Sequence, residues 1–164
     1  MAWTSPRTWV AGELVTAALM NAHVRDNLIA LKDPPTEFDP GVGVSDYSTT
    51  SSSMVDISAD LSVTMTTTGG DILCLLAGTW GNSSTGDFQL DFLEDAVSLS
   101  SHSDGAARLL KSGTALASAF YVSESPSAAS HTYKPQWKIS SGTGRLFNGG
   151  SINVNPAFLV REVS

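Results

Sequence analysis

Charge is scarce in this chain and unevenly spread. Only 15% of its 164 residues are Asp, Glu, Lys or Arg, against about 25% in an average soluble domain. Ser, Thr and Gly take their place, which favours strands, turns and loops over surface helices. Basic residues are the scarcer sign. The formal net charge is −7, which argues against a general nucleic-acid partner, because neutralising phosphates needs a basic surface. No Lys or Arg occurs between Lys32 and Arg108, an interval holding twelve acids from Asp33 to Asp104. After it, six basic residues stand against only Glu124 and Glu162. Either the strands are solvated by whichever charge was available, or the two halves face each other, within one sandwich or across a subunit contact.

Other features are missing as well. Cys74 is the one cysteine, so no internal disulfide forms. Its neighbours Ile72, Leu73, Leu75 and Leu76 mark it as a buried, inert thiol. The N-terminus lacks a basic region followed by an apolar stretch, so no signal peptide is expected. No apolar run approaches the roughly 18 residues of a membrane-spanning helix. No phosphate-cradling glycine loop occurs. His23, His102 and His131 stand far apart without metal-ligand spacing. No cofactor, no metal and no catalytic residue is therefore expected. Asp87, Asp91, Glu94 and Asp95 do cluster, and a carboxylate pair could serve a glycosidase. A solvated face or a weak cation site explains the same pattern. His102-Ser103-Asp104 holds triad residue types, but adjacency within a loop is not triad geometry.

What is present divides into three parts. Residues 1–32 form an N-terminal arm and helix. The arm carries Trp3, Pro6 and Trp9 with no period, and Pro6 biases Ser5 away from helix. It is too short to bury two indoles by itself. Trp3 and Trp9 therefore dock on another protein or pack against their own chain. Thr16 is a good N-cap, and Ala17 to Lys32 runs without Gly or Pro until Asp33-Pro34-Pro35 ends it. Ala17, Met20, Val24, Asn27 and Leu31 fall on an a/d seam barely two heptads long. A helix this short needs partners. Asn27 in such a seam fixes register and oligomer state if it is paired. The alternative is an amphipathic helix lying on its own domain with Asn27 at the edge. Residues 33–46, with three prolines and two glycines, read as an irregular linker.

From 47 to 164 the pattern is of strands. Met54–Ile57, Leu61–Met65, Phe88–Phe92, Val97–Leu99, Arg108–Leu110, Leu116–Val122, His131–Ile139, Ser151–Val154 and Phe158–Val163 are short and separated by turn residues. Ile72–Trp80 is a continuous apolar run, as expected of a fully buried central strand. Eight to ten such strands make this a mainly β domain, a sandwich or jelly roll.

Two stretches resemble known phage proteins. In Thr4–Leu28, the Trp9, Val15-Thr16-Ala17, Asn21 and Asp26-Asn27-Leu28 spacing resembles the N-terminus of many small bacteriophage structural proteins. Gly69-Gly70-Asp71-Ile72-Leu73 through Gly78-Thr79-Trp80 resembles the second strand of trimeric phage fibre heads. Ser130–Lys138, Gly142-Thr143-Gly144 and Leu159–Val163 resemble their closing hairpins. Those heads are similar to tumour-necrosis-factor-like jelly rolls. The resemblance covers most of the chain. It implies a homotrimer on the virion, assembled in the host cytoplasm, anchored by its N-terminal segment to other tail or capsid proteins. That means a tail-fibre or tail-tip component, or a capsid decoration or head-fibre protein, with no nucleic-acid or membrane partner. The rival expectation is a module that binds or cleaves host surface glycans, with Trp80 and Trp137 near exposed loops as its sugar-stacking residues.

Overall fold

The computed structural model describes residues 4–5, 7–41, 45–110, 113–123, 126–149 and 155–163. The strand expected at Ser151–Val154 and the docking residue Trp3 lie outside them. The chain is mainly β, with 47% of residues in strands and one helical segment of 16 residues.

That segment covers the expected span. It is α-helical over Ala17–Met20 (α1), π-helical over Asn21–Arg25, and α-helical again over Asp26–Lys32 (α2). The Thr16 hydroxyl caps it by accepting from the Leu19 amide at 3.3 Å. It stops at Asp33, directly before Pro34. Asn27 is its single buried residue, so almost none of its stability comes from packing on the rest of the chain.

Two antiparallel sheets follow. The first is organised on β5 (Asp71–Asn82). One edge of β5 pairs along its whole length with β9 (Gly113–Ser123). The other edge is shared by β12 (Ala157–Val163) and β11 (Gly144–Leu146). Outside these lie β1 (Thr36–Asp39), paired with β12, and β2 (Tyr47–Thr49), paired with β11. The second sheet is organised on β10 (Ser130–Ile139). It pairs with β6 (Asp87–Glu94) on one side and with β3 (Val55–Asp56) and β4 (Val63–Thr66) on the other. β6 in turn carries β7 (Val97–Ser98) and β8 (Ala107–Leu110).

The strand at Thr36–Asp39 corrects the reading of 33–46 as irregular throughout. Pro34 and Pro35 do break the helix, but Thr36-Glu37-Phe38-Asp39 contains no proline and zips onto β12. Pro135 sits inside the central strand β10, where proline normally deletes a ladder bond. Its carbonyl accepts from Ile57, so its nitrogen faces the same side, where β4 ends at Tyr133 and β3 begins at Gln136. The missing N–H falls in the gap between two short strands.

The inner faces meet in one core. Trp80 packs edge-on to Phe88 and Trp137 with ring centroids 5.6 and 6.0 Å apart, and Phe92 stacks on Phe158 at 6.0 Å. The Trp80 indole N–H donates to the Ala117 carbonyl at 3.1 Å, so the polar atom of the largest core residue is satisfied. Gly144 makes room for this cluster: a Cβ there would sit 2.6 Å from the Phe88 ring. Glu162 is buried at the far end. Its carboxylate accepts from the amides of Thr68 and Gly70 at 2.8 and 2.7 Å, which ties the last strand to the turn that launches β5.

The charge asymmetry resolves within the chain. Arg108 pairs with Asp87, Lys134 with Asp56 and Lys138 with Asp104, so basic residues of the second half face acids of the first across the second sheet. Cys74 is fully buried, and burial, with a smaller contribution from Glu94, pushes its thiol up to about 12. Iodoacetamide at pH 8–9 should therefore leave the native protein unmodified and label it completely in denaturant. Native-state labelling, read by intact mass, would contradict this packing.

Candidate interaction surface

Sequence alternation on β5 and β9 is incomplete, and the structure shows its consequence. Ile72, Cys74, Leu76 and Trp80 point into the core. Leu73, Leu75, Ala77 and Thr79 point the other way and are only half-buried. Residues directly across a ladder share a face. Leu73 therefore stands beside Val122, Leu75 beside Phe120, and Thr79 beside Leu116. On the other edge Leu75 stands beside Leu159, and Leu159 beside Phe38. The row Phe120–Leu75–Leu159–Phe38 thus crosses four strands on the outer surface. Leu116 is 80% exposed, Phe120 67%, Phe38 55% and Val122 43%. Those four side chains leave on the order of 400–500 Å² of apolar surface open, within the range of the largest patch on an ordinary monomer, which is often functional. Among the described residues no strand pairs with the free edge of β9.

The helix adjoins this face. Ala30, Leu31 and Pro34 line an open groove of about 310 Å³ with Leu73 and Arg161 of the outer sheet surface. Of the expected seam, Ala17, Met20, Val24 and Leu31 are exposed. Leu14, Val15, Leu28 and Ile29 are exposed as well, so the apolar surface of the helix is wider than a narrow a/d stripe.

Asn27 behaves differently from the seam expectation. Its side-chain carbonyl accepts from the Thr4 amide at 2.9 Å, and its amide donates to the Thr4 carbonyl at 2.9 Å and to the His23 carbonyl at 3.3 Å. The side chain is spent on its own arm. The correction has a plain cause: the arm folds back along the helix and offers a backbone pair that an amide matches from both ends. Trp9 lies edge-on to His23 at 6.3 Å, with the Arg7 guanidinium 5.0 Å from its ring centre. It stays half-exposed, held by its own segment on one side and open on the other.

The sugar-stacking expectation is overturned. Trp80 and Trp137 are each 1% exposed; both point inward on strands whose loops lie further along. The acidic cluster also disperses. Asp87 is taken by Arg108. Asp91 is buried and accepts from the Phe92 amide and the Ser98 hydroxyl. Of the cluster, Asp95 lines an open pocket of about 500 Å³ together with Asp56, Lys134 and Gln136. His102 is exposed in the loop after β7.

Glu94 and Asp95 converge instead on His131. The His131 Nδ1 lies 2.7 Å from Asp95 and 3.1 Å from Glu94. Its Nε2 lies 2.9 Å from the Ser127 carbonyl and 3.2 Å from the Ser127 hydroxyl. Ser127, His131 and Asp95 are the residue types of a nucleophilic triad, but the tautomer is wrong. A carbonyl oxygen only accepts, so Nε2 carries a hydrogen and has no lone pair to take the serine proton. Burial draws the His131 pKa down, but the hydrogen bonds to Asp95 and Ser127 and the charge of Glu94 together lift it above its ordinary value. Asp95 is held below the usual carboxylate range by the Thr132 amide and by His131.

The Asn27 contacts make an arm-specific expectation. Asn27→Ala should leave the unfolding free energy of the β domain within about 1 kcal/mol of wild type, as for an interaction removed from a peripheral element. Tryptic cleavage after Arg7 should accelerate several-fold. Unchanged cleavage, followed by mass spectrometry, would show that Asn27 does not hold the arm. No family model matches this sequence, and no curated protein matches it.

Proposed function

We propose that this protein is a structural component of a bacteriophage virion: a homotrimer whose β domain is a jelly roll and whose N-terminal segment attaches it to tail or capsid proteins. The outer apolar face of β9, β5, β12 and β1 carries this reading. A monomer in water has no use for Leu116, Phe120, Val122 and Phe38 in one patch. With the half-buried Leu73, Leu75 and Leu159 and the adjoining helix, the patch approaches the roughly 800 Å² per partner of a standard interface. Copies of the same chain are the occupants that fit, because the face lies on a rigid sheet and needs only another apolar sheet and helix to cover it.

The strand connections support the jelly-roll part. Take β1, β4, β5, β6, β8, β9, β10 and β12 as the principal strands, one to eight. One sheet then runs one, eight, three, six, and the other two, seven, four, five. Successive principal strands mostly cross between sheets, as two nested Greek keys require. The threefold count rests on the resemblance to trimeric fibre heads. The attachment role rests on the exposed arm and helix, where Trp9 keeps one face open. Both core tryptophans are inaccessible, so the sugar-stacking residues that the glycan-module alternative called for are not at the surface.

Light scattering after size exclusion should give the mass of three chains at micromolar concentration. Phe120→Glu should convert it to folded monomers, since a charge in a desolvated patch costs several kcal/mol. A wild-type monomer or dimer would overturn the trimer. Separately, Trp9→Ala should weaken binding to the isolated particle about 10-fold or more, in the range of hot-spot truncations, with little change in melting temperature. A large fall in melting temperature would instead assign Trp9 to the fold.

A further inference from the structure

We propose that Glu94, Asp95 and His131 form a site for one divalent transition-metal ion of the zinc class, with Nδ1 of His131 as the nitrogen ligand. The ligand atoms of these three residues all lie within 4.8 Å of one another. Each comes from a held position. His131 sits on β10 and Glu94 at the end of β6, in neighbouring strands. Asp95 and Ala96 turn the chain between β6 and β7, both at positive φ, 48° and 68°. Two successive left-handed residues without a glycine are uncommon in such a turn. Here they swing the Asp95 carboxylate beneath the imidazole.

The hydrogen bonds leave one free ligand atom per residue. Nε2–H of His131 donates to the Ser127 carbonyl at 2.9 Å, which fixes the tautomer and turns the Nδ1 lone pair inward. A carbonyl on the second ring nitrogen is the support that metal-bound histidines ordinarily have. Asp95 uses its Oδ1 on the Thr132 amide at 2.8 Å and turns Oδ2 to His131. Glu94 turns Oε1 to His131, with Oε2 towards the Ser123 hydroxyl. With Nε2 occupied, a neutral imidazole would aim its Nδ1 lone pair at two carboxylate oxygens. A positive centre must lie between them, either a proton or a metal ion. The proton leaves the trio at −1. A divalent ion displacing that proton brings two carboxylates and a neutral imidazole to zero, which suits a position where His131 and Glu94 are largely shielded from water.

A buried hydroxyl adds an independent pointer. Tyr133 lies directly opposite Glu94 in the ladder and therefore on the same face. It is fully buried, and among the described residues its hydroxyl has no hydrogen-bond partner. A metal-bound water, or a Glu94 oxygen recruited by the metal, is the kind of group that would satisfy it. The donor set selects the ion. One nitrogen and two carboxylates match zinc and its neighbours, whereas calcium takes six to eight oxygens. Tetrahedral zinc needs its donors roughly 3.3 Å apart, so the 2.7 and 3.1 Å contacts must open by a few tenths of an ångström, within reach of the half-exposed Asp95 side chain.

Full-length protein treated with EDTA and dialysed should bind one Zn²⁺ per chain by calorimetry. Co²⁺ should bind at the same site with visible d–d absorption. His131→Gln and Asp95→Asn should each weaken Zn²⁺ binding at least 10-fold, while His102→Gln leaves it unchanged. ¹⁵N spectra of the imidazole should show Nδ1 shifting on zinc addition and Nε2 remaining protonated. Because His131 is buried and its variant could misfold, circular dichroism checks the fold, and Asp95→Asn, changed at a solvent-facing turn, carries the test alone if needed. No zinc binding by the wild type, or binding equally tight in a folded Asp95→Asn or His131→Gln, would overturn the site.

Discussion

The structure depends on β5 being apolar on both faces. Its inner residues Ile72, Cys74, Leu76 and Trp80 are sealed against the second sheet, and that contact makes the sandwich. Its outer residues Leu73, Leu75 and Ala77 are only half-buried. A strand in the centre of a sheet cannot turn away, since β9 hydrogen-bonds along one edge and β12 and β11 along the other. The outer face is thus presented rigidly, with side-chain positions set by the ladder. Hydrophobic surface held in that way drives association without the ordering cost that a flexible loop carries. The same hydrogen bonds that build the core therefore also shape the outer apolar patch.

How much of this was legible in the sequence follows from which residues carry local signals. The helix was, because Thr16 and the Asp33-Pro34-Pro35 stop are local devices. The run Ile72–Trp80 marked the central strand correctly, and its continuous apolarity predicts burial on both faces. In the structure the inner face is sealed and the outer face half-buried. β1 escaped notice because a four-residue strand between prolines is defined by its partner β12 rather than by its own pattern. β11 is shorter still, at three residues. Trp80 and Trp137 misled for a related reason. Proximity to loop residues in sequence was taken as proximity to the surface, whereas strand alternation sends both rings inward.

Asn27 and His131 show a second limit. Asn27 stood out as an amide in an apolar seam and His131 only as one of three scattered histidines, and beyond His23 and Ser127, four positions away, their partners are distant in sequence. The partner of Asn27 is a backbone amide and carbonyl 23 residues earlier, which no side-chain pattern records. The partners of His131 lie 36 residues earlier and come from a turn whose geometry is unusual for Asp95-Ala96. Polar groups inside a β sandwich are matched across ladders, so their spacing in sequence depends on loop lengths rather than on a repeat. A spacing rule that works for ligands on one helix or one hairpin is blind to them.

The two sheets divide the labour in a way that composition alone anticipates. Lys134, Lys138 and Arg108 pair with Asp56, Asp104 and Asp87 on the second sheet, so its outer surface is polar and mutually neutralised. Exposed pairs of this kind contribute little stability. They do keep that surface wetted and unattractive to another apolar face. The first sheet has the opposite outer surface, with Leu and Phe where the second has Lys and Asp. A sandwich with one wetted and one apolar flank can bury the apolar flank against another apolar surface. It does so without exposing new apolar surface, because the polar flanks then lie outermost.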